Sequence, residues 1–230
     1  MDLHGYGDLL LSGLWVTIKL ALVSLFFGLI IGLAGATAKL SSSRVARGIA
    51  TAYTTIVRGI PELLLVLTLY FGGSQLLMYF ASMFGYDEYI DVGQFSAAVA
   101  ALAIAFGAYS TEVFRMAMQD VPKGQWESAQ AMGMTPVQTF FRIILPQVWR
   151  LAIPGLGNLF QVLLKDTALV SVVGLNELMR QASVGAATTK SPFDFYLAAA
   201  ILYLLLTVGT TLVTGLLERM SKPELRGGRA

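Results

Sequence analysis

The sequence predicts an all-α membrane protein with about five transmembrane helices. Of its 230 residues, 56% are hydrophobic and only 13% are charged, whereas soluble domains average about 45–50% and about 25%. Five apolar runs reach the roughly 20 residues that cross about 30 Å of hydrocarbon. They lie at residues 14–38, 63–84, 95–118, 154–175 and 195–217. We therefore expect a single transmembrane domain over residues 1–230.

The start of the first run is not sharply bounded. Residues 9–19 are apolar on one side and include Trp15 and Lys19, a pattern compatible with an interfacial amphipathic start from which Lys19 reaches the membrane surface. A cleaved signal peptide is the alternative interpretation. No basic region precedes the apolar stretch, however, and no clear small-residue cleavage pattern follows it. We therefore expect this segment to be retained.

The orientation follows from the charges of the connections. Basic residues without acidic ones occupy the connection 39–58, namely Lys39, Arg44, Arg47 and Arg58. Acidic residues without basic ones occupy the connection 85–94, namely Asp87, Glu88 and Asp91. The positive-inside rule then places the first connection in the cytoplasm and the second outside. The N-terminus is predicted outside and the C-terminus in the cytoplasm, in agreement with basic residues at Arg219, Lys222, Arg226 and Arg229.

A polar, amphipathic island, residues 120–146, separates the third and fourth runs and is called the elbow below. Trp126, Ala129 and Met132 recur at helical spacing, which predicts a first short amphipathic helix. Gly133 stands where a residue in the left-handed conformation ends such a helix.

A second helix is predicted directly after the first. Thr135 can cap it, Pro136 suits its first position, and Gln138 completes a capping box. Pro146 marks the point where the next segment is expected to begin at a new angle. The island is therefore expected to form a rigid elbow of two short helices.

The spacing within the elbow resembles the EAA motif, the cytoplasmic coupling loop of ABC importer permeases. That pattern is Glu-Ala-Ala, three residues, Gly, nine residues and Ile-x-Leu-Pro, and the first Ala is replaced here by Ser128. The matching residues are Glu127, Ala129, Gly133, Ile143, Leu145 and Pro146. Flanking segments resemble the polar amino acid branch of this family, at residues 58–62, 109–115, 121–125, 152–158 and 164–169.

The resemblance implies a type I ABC importer permease in a bacterial inner membrane. Its partners would be a second permease, either homologous or a second copy, two ATP-binding subunits docked on the elbow, and an extracytoplasmic amino-acid-binding protein. The P-loop pattern Gly-x4-Gly-Lys-Ser/Thr is absent from the sequence. We therefore expect no cofactor in this chain and expect the ATP-binding partner to bind and hydrolyse ATP-Mg. We also expect no nucleic-acid partner.

Charges within or beside the apolar runs are the candidates for the substrate pathway. Lys165 and Asp166 fall in the middle of the fourth run, where a charge costs about 2.5–3.5 kcal/mol unless it is partnered or faces water. We therefore expect both to face the bundle interior. Glu112 precedes Arg115 by three residues, and Glu62 follows Arg58 by four. Each of these two glutamates is predicted either to form an interfacial ion pair or to lie on the pathway.

Small residues and prolines indicate where helices pack closely or bend. Gly28, Gly32 and Gly35 share one side of the first run, and this spacing permits either packing within the chain or contact with another subunit. Pro61 and Gly72-Gly73 are expected to soften the second span, and Pro154-Gly155-x-Gly157 the start of the fourth.

The resemblance favours a basic substrate of the arginine, histidine, lysine, ornithine or opine class. The carboxylates of Glu62, Glu112 and Asp166 could stabilise a cationic side chain or an α-ammonium, and Lys165 or helix N-terminal amides could bind an α-carboxylate. A neutral polar amino acid such as glutamine is the alternative, because its zwitterion suits the same groups.

Two other functional classes fit the sequence poorly. With no cysteine and a single histidine, His4, we predict no metal site, and an intramembrane hydrolase would lack a base for Ser24 or Ser171. A non-ABC channel or carrier would not need the elbow, and the five runs lack the inverted repeats of carriers.

Overall fold

The computed structural model describes residues 5–86 and 92–221, and within these ranges the chain is helical with five helices long and apolar enough to span a membrane. These are Gly7–Leu40, Glu62–Ser82, Gln94–Asp120, Pro136–Val173 and Pro192–Ser221. The prediction of an all-α membrane protein with five spans is confirmed. His4, the acidic residues Asp87, Glu88 and Asp91, and the basic residues Lys222, Arg226 and Arg229 lie outside the described residues.

Nine α-helices lie in the described part of the chain. They are α1 (Gly7–Leu40), α2 (Arg44–Gly59), α3 (Glu62–Ser82), α4 (Gln94–Asp120), α5 (Lys123–Ala131), α6 (Pro136–Thr139), α7 (Leu145–Asp166), α8 (Leu178–Thr189) and α9 (Pro192–Ser221). A π-helix, Phe140–Ile144, joins α6 to α7, and a 3₁₀-helix, Thr167–Val173, follows α7.

Helices α1 and α4 pack side by side in the same direction. A Cβ on Gly28 would lie 2.6 Å from the Phe106 ring, and one on Gly32 would lie 2.0 Å from the Oγ of Ser110. The glycines therefore allow the two helix backbones to approach closely. Of the two interpretations of the glycine stripe, packing within the chain is confirmed.

Helices α3 and α7 run antiparallel to α4. Glu62 at the start of α3 contacts Tyr109 in the second half of α4, and Ser74, further along α3, accepts a hydrogen bond from Val92 N–H just before α4 begins. Trp149 early in α7 packs against Phe114 late in α4, with ring centroids 5.3 Å apart. Helix α9 is antiparallel to α7, since Gln161 donates a 3.1 Å hydrogen bond to Thr211 and the earlier residue Gly157 lies against the later residue Thr214. The elbow and the last turns of α1 and α9 therefore lie at one end of the bundle, and α8 lies at the other.

The helix of the fourth span begins inside the elbow. Leu145 N–H donates to the Phe140 carbonyl, five residues back, and this wide turn relieves the clash that the Pro146 ring would have with the Arg142 carbonyl in a regular α-helix. The prediction that Pro146 begins a separate segment is therefore wrong. Helix α7 also continues through Pro154, so the span covers Pro136–Val173 rather than residues 154–175.

Residues 9–19 belong to the continuous helix α1, not to a separate interfacial segment. Trp15 is exposed, and the Lys19 ammonium lies 6.0 Å from its ring centroid. The first span thus starts seven residues earlier than its apolar run.

A buried carboxylate fixes α8 to its neighbours. Glu177 caps α8 by accepting hydrogen bonds from Met179 N–H (2.8 Å) and Arg180 N–H (2.7 Å). It also accepts 3.2 and 3.5 Å bonds from the hydroxyls of Tyr203 in α9 and Thr17 in α1. One side chain therefore joins three helices.

Candidate functional site

The first turn of the elbow is a Schellman motif. Gly133 has φ of +76°, and its N–H donates a 2.9 Å hydrogen bond to the Gln130 carbonyl, while Met134 N–H donates a 3.1 Å bond to the Ala129 carbonyl. These two bonds satisfy carbonyls that the end of α5 would otherwise leave without partners. The left-handed conformation predicted for Gly133 is confirmed.

The second turn of the elbow has the predicted capping box. Gln138 N–H donates to the Thr135 hydroxyl over 3.3 Å, and Thr135 N–H donates to the Gln138 side-chain oxygen over 3.0 Å. Pro136 occupies the start of α6. Only Gly133 and Met134 lie between the C-cap of α5, Met132, and the N-cap of α6, Thr135, so the capping box follows the Schellman turn directly.

The elbow has one face against the bundle and one open face. Ala129 and Ile144 are buried, and Trp126 packs against the same core. Met132, grouped with Trp126 by its spacing, is instead 83% exposed because it is the C-cap where the chain leaves α5. Glu127, Met132, Val137 and Phe141 are exposed, and these four residues are called the elbow surface.

The remaining motif residues support this arrangement. Ile143 and Leu145 are half-buried, on the wide turn and at the start of α7, and Pro146 is exposed. Glu127 lies on the elbow surface and is exposed.

Three polar side chains line a small pocket between α3, α4 and α7. They are Glu62 in the first turn of α3, Tyr109 of α4, and Asp166 at the end of α7. The Tyr109 hydroxyl donates a 3.1 Å hydrogen bond to Glu62 Oε1. Apolar residues form the rest of the wall, among them Leu102, Phe106 and Leu163. The cavity measures about 20 Å³, close to the space of one water molecule, so a molecule the size of an amino acid fits only if the helices move apart.

Arg58 contacts the aromatic ring of the pocket residue Tyr109. Its guanidinium lies 5.4 Å from the Tyr109 ring centroid, within the range of a cation–π interaction. Within residues 5–86 and 92–221 no ion pair joins Arg58 to Glu62, so the predicted interfacial pair is not formed. The break at Ile60 and Pro61 between α2 and α3 separates the two side chains.

The structure separates the other two candidates from this pocket. Lys165 is exposed, whereas Asp166 is half-buried, because neighbours on a helix point about 100° apart and only one of them can face inward. The prediction that both face the interior is wrong for Lys165. Glu112 forms an ion pair with Lys39 of α1 and accepts a 2.8 Å bond from Arg115, which confirms the predicted i,i+3 pair.

The place of Tyr109 in this pocket was not predicted from the sequence. Tyr109 lies 47 residues from Glu62, and no periodic signal links positions so far apart. The only available sign was a polar aromatic residue in a strongly apolar run.

Comparison with known proteins supports one family. The family described as binding-protein-dependent transport system inner membrane component matches residues 24–222. The nopaline transport system permease protein of Agrobacterium fabrum is 47% identical over 204 residues, covering 88% of this chain and 86% of the relative. The histidine/lysine/arginine/ornithine transport system permease protein of Salmonella typhimurium is 42% identical over 217 residues, covering 94% and 95%.

A solved structure supports the same family. The crystal structure of an amino acid ABC transporter with histidines contains a chain that is 34% identical, with a TM-score of 0.79, and the match covers 96% of this chain and 99% of that one. The five spans agree with an inner membrane component that crosses the bilayer several times. The chain belongs to the binding-protein-dependent transport system inner membrane components, the permeases of ABC importers.

Proposed function

We propose that this chain is the permease subunit of an ATP-driven importer that moves a basic amino acid, of the arginine, histidine, lysine or ornithine class, into the cytoplasm. The observation that carries the proposal is the pair of carboxylates, Glu62 and Asp166, that line one pocket. In the described part of the chain neither carboxylate has an ion-pair partner. Like charges that line one pocket repel, and a bound cation relieves that repulsion.

We assign different parts of the substrate to different residues. Glu62 and Asp166 suit a guanidinium, an imidazolium or an ammonium group, and Tyr109 holds Glu62 in place. Arg58, which contacts the pocket residue Tyr109, is better placed than Lys165 to receive the α-carboxylate. Lys165 and Glu112 stay pathway predictions, and Lys165 would reach the substrate from the surface that a second permease covers.

The elbow is proposed as the docking site for two ATP-binding subunits, which bind ATP-Mg. A second permease, homologous or a second copy, and an extracytoplasmic binding protein complete the assembly. This arrangement places the elbow and the C-terminus in the cytoplasm and α8 outside. It is supported by the positive charge of Lys39, Arg44 and Arg47, which lie at or beside the end of α1 that faces the elbow.

The helical connection between elbow and pocket suggests how ATP closure is coupled to transport. From Pro136 to Asp166 the chain is helical without interruption, so one rigid element carries the elbow at its start and Asp166 at its end. Movement of the elbow by the ATPase pair would shift Asp166 relative to Glu62 and open the small pocket. Such rigid-body switching is a known mode of two-state change.

A neutral polar amino acid such as glutamine is the second candidate. The carboxylates would then bind only the α-ammonium group, and Arg58 the α-carboxylate. The names of the relatives favour the basic substrate, since one of them is a permease for histidine, lysine, arginine and ornithine.

The direct test is uptake by the purified complex in liposomes. Radiolabelled arginine, histidine, lysine, ornithine and glutamine are offered with the binding protein outside and ATP inside. We expect ATP-dependent accumulation of one or more of the four basic amino acids. Accumulation of glutamine alone would favour the second candidate, and uptake independent of ATP would refute the proposed importer.

A further inference from the structure

Helix α2 (Arg44–Gly59) has three distinct faces. One face packs on α1 and α4: Ala50 and Thr54 are buried, and the Tyr53 hydroxyl donates a 2.7 Å hydrogen bond to the Ile104 carbonyl of α4. The rest of the helix surface is exposed in this chain, and it divides into two stripes of opposite chemistry.

One stripe of α2 is apolar, and its residues recur every three or four positions. It consists of Val45, Ile49, Ala52 and Ile56, which are all exposed. Ile49 and Ile56 expose 66% and 59% of their surface, so this stripe requires apolar surroundings, from lipid or from another protein chain.

The polar stripe runs beside it with the same periodicity. It consists of Arg44, Arg47, Thr51, Thr55 and Arg58, which are all exposed. At 3.6 residues per turn its centre lies about 130° from that of the apolar stripe. The two stripes therefore face different environments.

The hydroxyls of the polar stripe have no partner within the described residues. Thr54, on the buried face, bonds back to the Ala50 carbonyl over 3.1 Å, and Thr111, Thr188 and Thr207 do the same in other helices. Thr51 and Thr55 have no such hydrogen bond in the described ranges. Because hydroxyls in hydrocarbon need a partner, these two side chains are arranged for contact with water.

The polar stripe leads to the substrate pocket. Its first residue, Arg44, follows the end of α1, where Lys39 pairs with Glu112, and its last residue, Arg58, lies against Tyr109. Tyr109 is eleven residues from the end of α4, or about 16 Å along the helix axis. The stripe thus connects the elbow end of the bundle with the interior pocket.

We propose that the polar stripe of α2 forms one wall of an aqueous passage between the Glu62–Asp166 pocket and the cytoplasm, through which the amino acid leaves. The inference rests on the proposed function and adds the exit route. Thr51 and Thr55 line the passage without charge, and Arg58 stands at its entrance, where it can pass the α-carboxylate from the pocket to the stripe.

The test uses the absence of cysteine in this chain. Single cysteines replace Thr51 and Thr55 on the polar stripe, and Ile49 and Ile56 on the apolar stripe provide matched controls one or two residues away. The assembled complex in inside-out vesicles is treated with a membrane-impermeant thiol reagent. We expect Thr51→Cys and Thr55→Cys to react at least about tenfold faster than the two isoleucine variants, because the reagent attacks only a hydrated thiolate.

Two further measurements complete the test. Trapping the complex with ATP and vanadate should slow the reaction of both threonine variants by closing the passage, and modification of Thr55→Cys should block uptake. Equal reactivity of Ile56→Cys and Thr55→Cys, or no reaction at any of the four positions, would overturn the proposal. Rates unaffected by vanadate would indicate an interfacial helix and would also overturn it. The labelling does not involve an amino acid, so a wrong substrate assignment would leave its outcome unchanged.

Discussion

A Cβ on Gly32 would lie 2.0 Å from the Oγ of Ser110 and 2.9 Å from its Cβ. Ser110 is fully buried and shares its hydroxyl between the carbonyls of Gly28 and Gly107, both at 3.3 Å. Turning the Ser110 side chain away to make room would therefore break these hydrogen bonds. The contact holds α1 against α4, the most buried of the five spans.

Gly32→Ala should destabilise the protein by about 1–3 kcal/mol, the usual cost of overpacking a close contact. Thermal unfolding of the purified complex measures this change. The double variant Gly32→Ala, Ser110→Gly should recover part of the loss, and Gly209→Ala in α9, where a Cβ meets no atom within 4 Å, is the matched control. Equal stability of Gly32→Ala and Gly209→Ala would contradict the packing described here.

Gly133→Ala should uncouple the ATPase without removing the permease from the membrane. Its φ of +76° strains any other residue by about 1–2 kcal/mol, and relaxation of that strain changes the angle between α5 and α6. We expect reduced ATP hydrolysis in response to the loaded binding protein, at normal membrane abundance. Gly124→Ala, in the first turn of α5 with open space around it, should behave as wild type. Full stimulation of the Gly133 variant would remove this residue from the coupling role.

Glu177 should make the stability of the protein depend on pH. Burial raises the pKa of Glu177 above its ordinary 4.5, although hydrogen bonds from Met179, Arg180, Tyr203 and Thr17 oppose the shift. The folded state thus holds this proton more tightly than the unfolded state, so the contribution of Glu177 is full below pH 4.5 and declines as the pH rises through the raised pKa.

Comparison with Glu177→Gln, which cannot titrate, isolates this effect. Glutamine leaves one donor of the cap without an acceptor and should cost about 1 kcal/mol. Thermal unfolding from about pH 4 to about pH 8 should show the advantage of the wild type over the variant shrinking as pH increases. An advantage that grows over this range would show that the hydrogen bonds outweigh burial.

Single cysteines test the orientation. Ser42, between α1 and α2, and Thr188, on α8, are both exposed and lie at opposite ends of the bundle. We expect Thr188→Cys to react with an impermeant reagent in intact cells and Ser42→Cys to react only after the membrane is opened, because the basic connection belongs in the cytoplasm. The reverse pattern would invert the topology.

The elbow could be predicted because its signals are local. The helix end at Gly133 and the capping box of Thr135 and Gln138 are both visible in a few neighbouring residues. The hydrogen bonds Gly133–Gln130 and Thr135–Gln138 likewise join residues only three positions apart. The wide turn before Pro146 could not be predicted, since proline indicates a disturbance of the helix but does not specify whether the helix breaks or widens.

The pocket could not be predicted from the sequence, because tertiary contacts form it. Glu62 and Asp166 were singled out as charges in apolar surroundings, but their shared cavity with Tyr109 arises from the packing of α3, α4 and α7. Lys165 shows why the sequence does not predict which charged residues face the pocket. Its neighbour Asp166 points about 100° away on the helix, and that rotation places one side chain inside and the other on the surface. The role of Glu177 was missed for a similar reason, since two of its four partners, Thr17 and Tyr203, lie in other helices.

The most direct test of the account is uptake by the Asp166→Asn variant, which keeps the shape of the side chain and removes its charge. Uptake per assembled complex is measured for arginine and for glutamine, with basal ATP hydrolysis as the control for folding and assembly. If Asp166 binds a cationic side chain, arginine uptake should fall roughly tenfold, the value of one charge-assisted hydrogen bond, and glutamine uptake should fall less. Arginine uptake unchanged at normal abundance, or an equal loss for both amino acids, would contradict the account.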